Sequence, residues 1–152
     1  MPTNTEQVDV RGPRFAAWVT SAVLVATLVV AAFSALAAAV LLFLQAVVFA
    51  IGALRGPRLS PYGRVYAGLV APRLGPVTSR EPVAPLKFAQ LVGFVFAVAG
   101  VIGFATGLAL LGEIATAFAL VAAFLNAAFG ICLGCQLYPP VARFRRRPAS
   151  VT

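Results

Sequence analysis

From Phe15 to Leu54 the chain runs about forty residues without a single charged side chain. As one α-helix, rising 1.5 Å per residue, that run would extend roughly 60 Å, twice the hydrocarbon core of a bilayer. It therefore has to fold back. A turn near Phe33 to Ala37, where Ser34 is the only polar residue, divides it into halves of nearly twenty residues, the length a membrane-spanning helix needs.

The remaining composition points the same way. Hydrophobic residues make up 61% of the 152 and charged residues 11%, a balance that a water-soluble domain of this size has no interior to hide, so the chain reads as an integral membrane protein. There is no His and there are only four acidic residues. That removes His-centred metal sites, His general bases and most carboxylate-pair chemistry. The net charge of +8 resides in basic residues that flank apolar runs, with no soluble domain to present them to a groove. Anionic lipid headgroups are the expected partner and nucleic acid is not. Neither a cofactor nor a resident metal is expected.

A second apolar pair follows, Phe88 to Leu110 and Ile114 to about Cys132, with Leu111, Gly112 and Glu113 as a tight turn between them. The expected organisation is an all-α membrane protein with an N-terminal tail over 1–14 and a single four-span domain over 15–138. Its spans lie near 15–33, 36–54, 88–110 and 114–133, with a loop over 55–87, and a basic tail covers 139–152. Glu113 is expected to cap the fourth span, where the helix dipole favours a carboxylate. No other charge lies inside a span, which counts against a driven ion transporter. A signal peptide cleaved near Ala35 or Ala37 is the competing reading of the first segment, but the apolar run continues past that site.

Orientation follows from the basic residues. With four spans, the N-terminal tail, the 55–87 loop and the C-terminal tail share one side, and all twelve Lys and Arg fall there. The two short turns carry none. Such a partition predicts that the basic side, with both termini, is cytoplasmic and that the protein is a multi-pass protein of the inner membrane. The C-terminal cluster Arg143, Arg145, Arg146 and Arg147 is expected to face lipid or a partner.

Within the long loop, Tyr62, Val65, Tyr66, Leu69 and Val70 recur with the spacing of one helical face. Ser60 is a suitable N-cap, Pro61 suits the first helical position and Pro72 ends the segment. The pattern predicts a short interfacial helix with both tyrosines at the headgroups. The chain also repeats itself: Arg14-Phe15-Ala16 recurs as Lys87-Phe88-Ala89, and Phe43-Leu44-Gln45-Ala46 as Phe124-Leu125-Asn126-Ala127. Both copies run in the same direction, so two helical hairpins related by an approximate two-fold axis along the membrane normal, a parallel repeat, are expected. Gln45 and Asn126 are rare residue types for a span and are expected to bond helices together.

The two cysteines, Cys132 and Cys135, break that symmetry, since the first hairpin has no counterpart to them. Three residues apart, they reach each other after modest adjustment, which Gly134, Pro139 and Pro140 ease. The spacing suits reversible thiol chemistry, and packing of two small apolar residues is the bland alternative. If the pair closes the fourth span, a helix C-terminus and apolar surroundings disfavour the thiolate, with the downstream arginines as the only compensation. Cys135, nearer water, is then expected to attack and Cys132 to resolve.

The segments Val8 to Ala17, Ser60 to Pro76, Arg80 to Gly93 and Ala123 to Tyr138 resemble the bacterial membrane family catalogued as domain of unknown function 4395, whose Cys-x-Gly-Cys pattern falls on Cys132, Gly134 and Cys135. The resemblance implies a small multi-span protein often encoded beside thioredoxin-like or rhodanese-like sulfurtransferase proteins, with no settled activity. The expected function is a membrane-anchored thiol protein whose CxxC pair exchanges disulfide or persulfide sulfur with such a cytoplasmic partner. A non-catalytic DoxX-like subunit tethering a soluble redox or sulfur enzyme, and a small permease for a sulfur compound, stand as alternatives. A homo-oligomer is compatible with each, and in a dimer four thiolates would meet the minimum for a metal site.

Overall fold

The computed structural model of the protein describes residues 7–145. In chain order it contains β1 (Gln7–Asp9), α1 (Arg11–Ala31), α2 (Ala35–Arg55), a 3-10 turn (Pro57–Leu59), α3 (Pro61–Val65), β2 (Arg80–Pro82), α4 (Val83–Ala105), α5 (Ala109–Phe129) and α6 (Leu133–Arg145). Helices α1, α2, α4 and α5 are each long and apolar enough to cross a membrane, and the protein is a multi-pass helical membrane protein. Ser34 ends the first turn as an N-cap, its hydroxyl accepting the Ala37 N–H at 3.1 Å, which satisfies a donor left over at the start of α2.

The four long helices close into a ring in which α2 packs on α4, α4 on α5, α5 on α1 and α1 on α2. Leu24, Ala38, Leu42, Ala97, Phe104 and Ala119 are buried at its centre. The outside is equally apolar, with Trp18, Phe43, Val95 and Phe118 each at least half exposed. Helices apolar all round are what lipid selects, because hydrocarbon solvates the outer face as well as the core does the inner one.

The second hairpin begins earlier than its apolar run. α4 starts at Val83 and α5 at Ala109, so the turn falls at Thr106 to Leu108 and not at Leu111 to Glu113. Glu113 consequently lies in the second turn of α5, exposed, and caps nothing. A charge inside an apolar stretch resembled a boundary, yet backbone hydrogen bonding carries a helix past it without interruption. Residues 7–9, expected within a featureless tail, form an antiparallel pair with β2, in the register Gln7↔Pro82, Val8↔Glu81 and Asp9↔Arg80. Each strand leads directly into the first helix of a hairpin. The ribbon thus pins the starts of α1 and α4 to one end of the bundle.

The loop helix forms where its cap predicts. Ser60 Oγ accepts the Gly63 N–H at 3.1 Å, and Pro61 begins α3, which continues as one π turn (Tyr66–Val70) and a 3-10 turn (Ala71–Arg73). Its tyrosines turn inward, however. Tyr62 donates to Gln45 Oε1 at 2.7 Å and Tyr66 to Asp9 Oδ2 at 2.9 Å, while Val65 and Leu69 stay exposed. The wider π turn breaks the single face that an unbroken 3.6-residue period implied.

Candidate functional site: the Cys132–Cys135 pair at the start of a helix

The fourth long helix ends before the cysteines. Gly130 takes the left-handed conformation at φ 73°, which glycine adopts without a Cβ penalty, and the N–H groups of Gly130 and Ile131 return to the carbonyls of Asn126 and Leu125 at 3.0 and 3.1 Å. The guanidinium of Arg14, at the start of α1, donates to the carbonyls of Ala127 at 3.0 Å and Ala128 at 3.3 Å. A cation thus caps the negative end of α5 and satisfies carbonyls that otherwise have no partner. Arg14 was legible in the sequence only as one more basic flanking residue.

After this stop the chain starts a new helix. Cys132 O accepts the Gln136 N–H at 3.1 Å, and Cys132 Sγ accepts the Cys135 N–H, also at 3.1 Å. Cys132 therefore stands where an N-cap residue stands, with its sulfur as the capping acceptor. The expectation that the pair closes the fourth span, at a helix C-terminus, is overturned. The cause is Gly130, which ends the helix inside what composition alone presents as one apolar run. An N-terminal turn aims free N–H groups and the positive end of the dipole at the sulfur, the arrangement that favours a thiolate.

The two sulfurs are joined as a disulfide, with Cα atoms 5.1 Å apart. α6 docks on α4 through a close approach in which Gly134 faces Ala89: a Cβ on Gly134 would stand 2.7 Å from the Ala89 Cα. Phe88 and Tyr138 reinforce the contact, their ring centroids 5.9 Å apart. Cys135 packs against the small cluster of Val8, Val83 and Leu86 beneath the ribbon. Cys132 instead lines a cavity of about 110 Å³ that enters the bundle between α1, α4 and α5, together with Gln90 and Asn126. The two cysteines are both partly buried but have different neighbours, Cys132 the cavity and Cys135 the apolar cluster.

Gln45 and Asn126 do not occupy matching places. Gln45, 1% exposed, sits at the middle of α2, where it accepts from Tyr62 and its amide approaches Thr20 Oγ1 at 3.5 Å. Asn126 lies in the last turn of α5, on the cavity wall, with no side-chain hydrogen bond among the described residues. The hairpin starts match at an offset of 73 residues, Arg14 to Lys87, but the later motifs at 81, Phe43 to Phe124, so the second match slides by eight residues, about two helical turns. Arg143 and Arg145 fall on the last turns of α6. Arg146 and Arg147 lie outside the described residues.

Beside the pair, Asp9 organises the ribbon end. Arg11 donates to both of its oxygens, at 2.8 to 3.1 Å, and Tyr66 to one. The hydrogen bonds from Arg11 hold the Asp9 carboxyl down at about 2, whereas burial pushes the Tyr66 phenol and the Glu81 carboxyl upward. Among the described residues no group of three or more His, Cys, Asp and Glu side chains gathers.

Fold and site define a multi-pass helical membrane protein that carries a CxxC disulfide at the start of a short helix docked on its third long helix. The chain belongs to the family described as Domain of unknown function (DUF4395), which it matches over residues 8–143. No curated protein and no solved structure matches it.

Proposed function

We propose that the protein is a membrane-anchored dithiol–disulfide exchanger, with Cys132 as the exchanging sulfur and Cys135 as the resolving one. The observation that carries this reading is the Cys135 N–H donated to Cys132 Sγ at the first turn of α6. A partner thiolate attacks Cys132 Sγ, the Cys132–Cys135 bond breaks with its electron pair leaving on Cys135, and a mixed disulfide forms at Cys132. The partner's second thiol then attacks the partner's first sulfur and releases Cys132 as thiolate. The partner dithiol has lost two electrons and two protons and the membrane pair has gained them. In reverse, the reduced pair delivers them to a partner disulfide. A thioredoxin-like protein supplies such a dithiol, and a rhodanese-like sulfurtransferase carrying a persulfide offers an outer sulfur to the reduced Cys132 thiolate.

The basic residues support a cytoplasmic setting for this end of the bundle in the inner membrane. The turns Ala32 to Ser34 and Thr106 to Leu108 carry no Lys or Arg, and all twelve lie in or beside the segments at the other end. The ribbon supports the parallel repeat. The offset of 73 residues from Arg14 to Lys87 also carries Val8 to Glu81, and these two face each other at the centre of the strand pair. On this reading one two-fold axis through them relates the strands and, with them, the two hairpins. The basic surface of α3 and its continuation suits the headgroup plane of anionic lipid.

Alkylation of single-cysteine variants in inverted membrane vesicles tests the assignment. Cys132 in Cys135→Ser should label faster at neutral pH than Cys135 in Cys132→Ser. Equal rates contradict the division of roles, and absence of labelling at both positions leaves the tethering subunit as the better account.

A further inference from the structure

Three arginines from three separate elements converge on one cavity of about 570 Å³: Arg55 at the end of α2, Arg58 in the 3-10 turn and Arg80 in β2. None of the three forms a salt bridge or side-chain hydrogen bond among the described residues. Asp9 is the one carboxylate on the wall, and Arg11 and Tyr66 already engage it. The cavity is therefore cationic without an internal counter-ion. Much of its wall is apolar, including Val8, Leu59 and Val83. Its wall includes Arg55 and Gly56 at the end of α2 and Val83 at the start of α4, so it lies at an end of the apolar helices.

We propose that this cavity binds a phosphate-bearing amphiphile, the phosphate held by the guanidiniums and the apolar portion lying on Val8, Leu59 and Val83. Guanidinium forks match phosphate oxygens in pairs and stay charged at every accessible pH. Scattered surface arginines would attract anionic lipid diffusely, whereas three converging on one concavity with an apolar wall select a molecule having both parts. An anionic phospholipid and a soluble phosphate ester share the phosphate chemistry. The apolar wall favours the lipid.

The test is lipid retention by the purified full chain in neutral detergent, read by native mass spectrometry after titration with phosphatidylglycerol, phosphatidylcholine, glycerol phosphate or inorganic phosphate. Arg55→Gln/Arg80→Gln is compared with Arg64→Gln/Arg73→Gln, which removes the same charge from exposed positions off the cavity wall. Phosphatidylglycerol should bind in preference to phosphatidylcholine, and the cavity variant should lose about tenfold or more in affinity, the scale of a lost charge-assisted hydrogen bond. The control pair should lose no more than about twofold, the scale of a screened surface charge. The double Lys variant Arg55→Lys/Arg80→Lys keeps charge and fold and should recover part of the loss. Equal losses in both Gln pairs, or equal retention of the two lipids, overturns the site. Binding of inorganic phosphate or glycerol phosphate as tight as that of the lipid overturns the amphiphile.

Discussion

Cys132 and Cys135 are related by more than their disulfide, because the backbone N–H of Cys135 points at Cys132 Sγ from 3.1 Å. The asymmetry is built into the chain direction: the first cysteine of the motif receives a donor from the second, while the second has only the apolar cluster of Val8, Val83 and Leu86 for company. Under the proposed exchange, reduction opens the S–S bond and leaves this donor beside the sulfur that is to carry the charge.

That geometry depends on α6 lying flat against α4. Gly134→Ala should loosen the dock, because its new Cβ meets Ala89, at a cost of about 1 to 3 kcal/mol, the usual range for overpacking. Ala89→Gly in the same chain should restore part of the loss, measured as a coupling energy in a double-mutant cycle. Additive effects would mean that Gly134 acts through backbone freedom alone.

The two amides of the spans should behave differently. Gln45→Leu breaks the bond from Tyr62 and should destabilise the bundle by about 0.6 kcal/mol, the average for interhelical bonds in membranes. Asn126→Leu breaks no side-chain bond among the described residues and should leave the melting temperature nearly unchanged while altering reactivity at Cys132 across the shared cavity. Equal destabilisation by both would restore the matched structural role expected from their sequence context.

The ribbon end should respond to acid. The Asp9 carboxyl is held at about 2, below its ordinary 3.8, so its contribution is complete above that ordinary value and is lost as pH falls through 2. Protection of the amides near Val8 and Glu81, taken relative to intrinsic exchange at each pH, should fall between about pH 4 and pH 2, and Asp9→Asn should flatten that dependence. An unchanged profile would show that the ribbon does not rely on this carboxylate.

Topology is the fourth prediction. A reporter inserted at Gly107, in the second turn, should map outside the cytoplasm, and one fused after Thr152 should map inside. The reverse result would move the cysteines into an oxidising compartment.

Much of this architecture was legible in the residues. Run length and the one-sided basic residues suffice for four long apolar helices, because lipid admits few other ways to satisfy a backbone. Ser60 announced a helix start through chemistry that needs no tertiary context, whereas Ser34 was legible only as the one polar residue of the first turn and its cap on α2 is a structural finding. The misreadings share a cause. Glu113 and Gly130 both sit in apolar stretches where composition has no contrast, and helix ends there are set by backbone conformation, which an apolar profile does not record. Gly130, two residues before Cys132, was the one available signal. The three-residue strands are too short to show a period, and the inward turn of Tyr62 and Tyr66 depends on acceptors far away in sequence, Gln45 and Asp9.

The central claim is that Cys132 exchanges and Cys135 resolves, and the trapped partner is its most direct measure. In cells expressing tagged single variants, acid quenching and non-reducing electrophoresis should reveal a long-lived mixed disulfide on Cys132 in Cys135→Ser and little on Cys135 in Cys132→Ser. Accumulation on Cys135 instead, or full function of the double Ser variant with nothing trapped, would contradict the account.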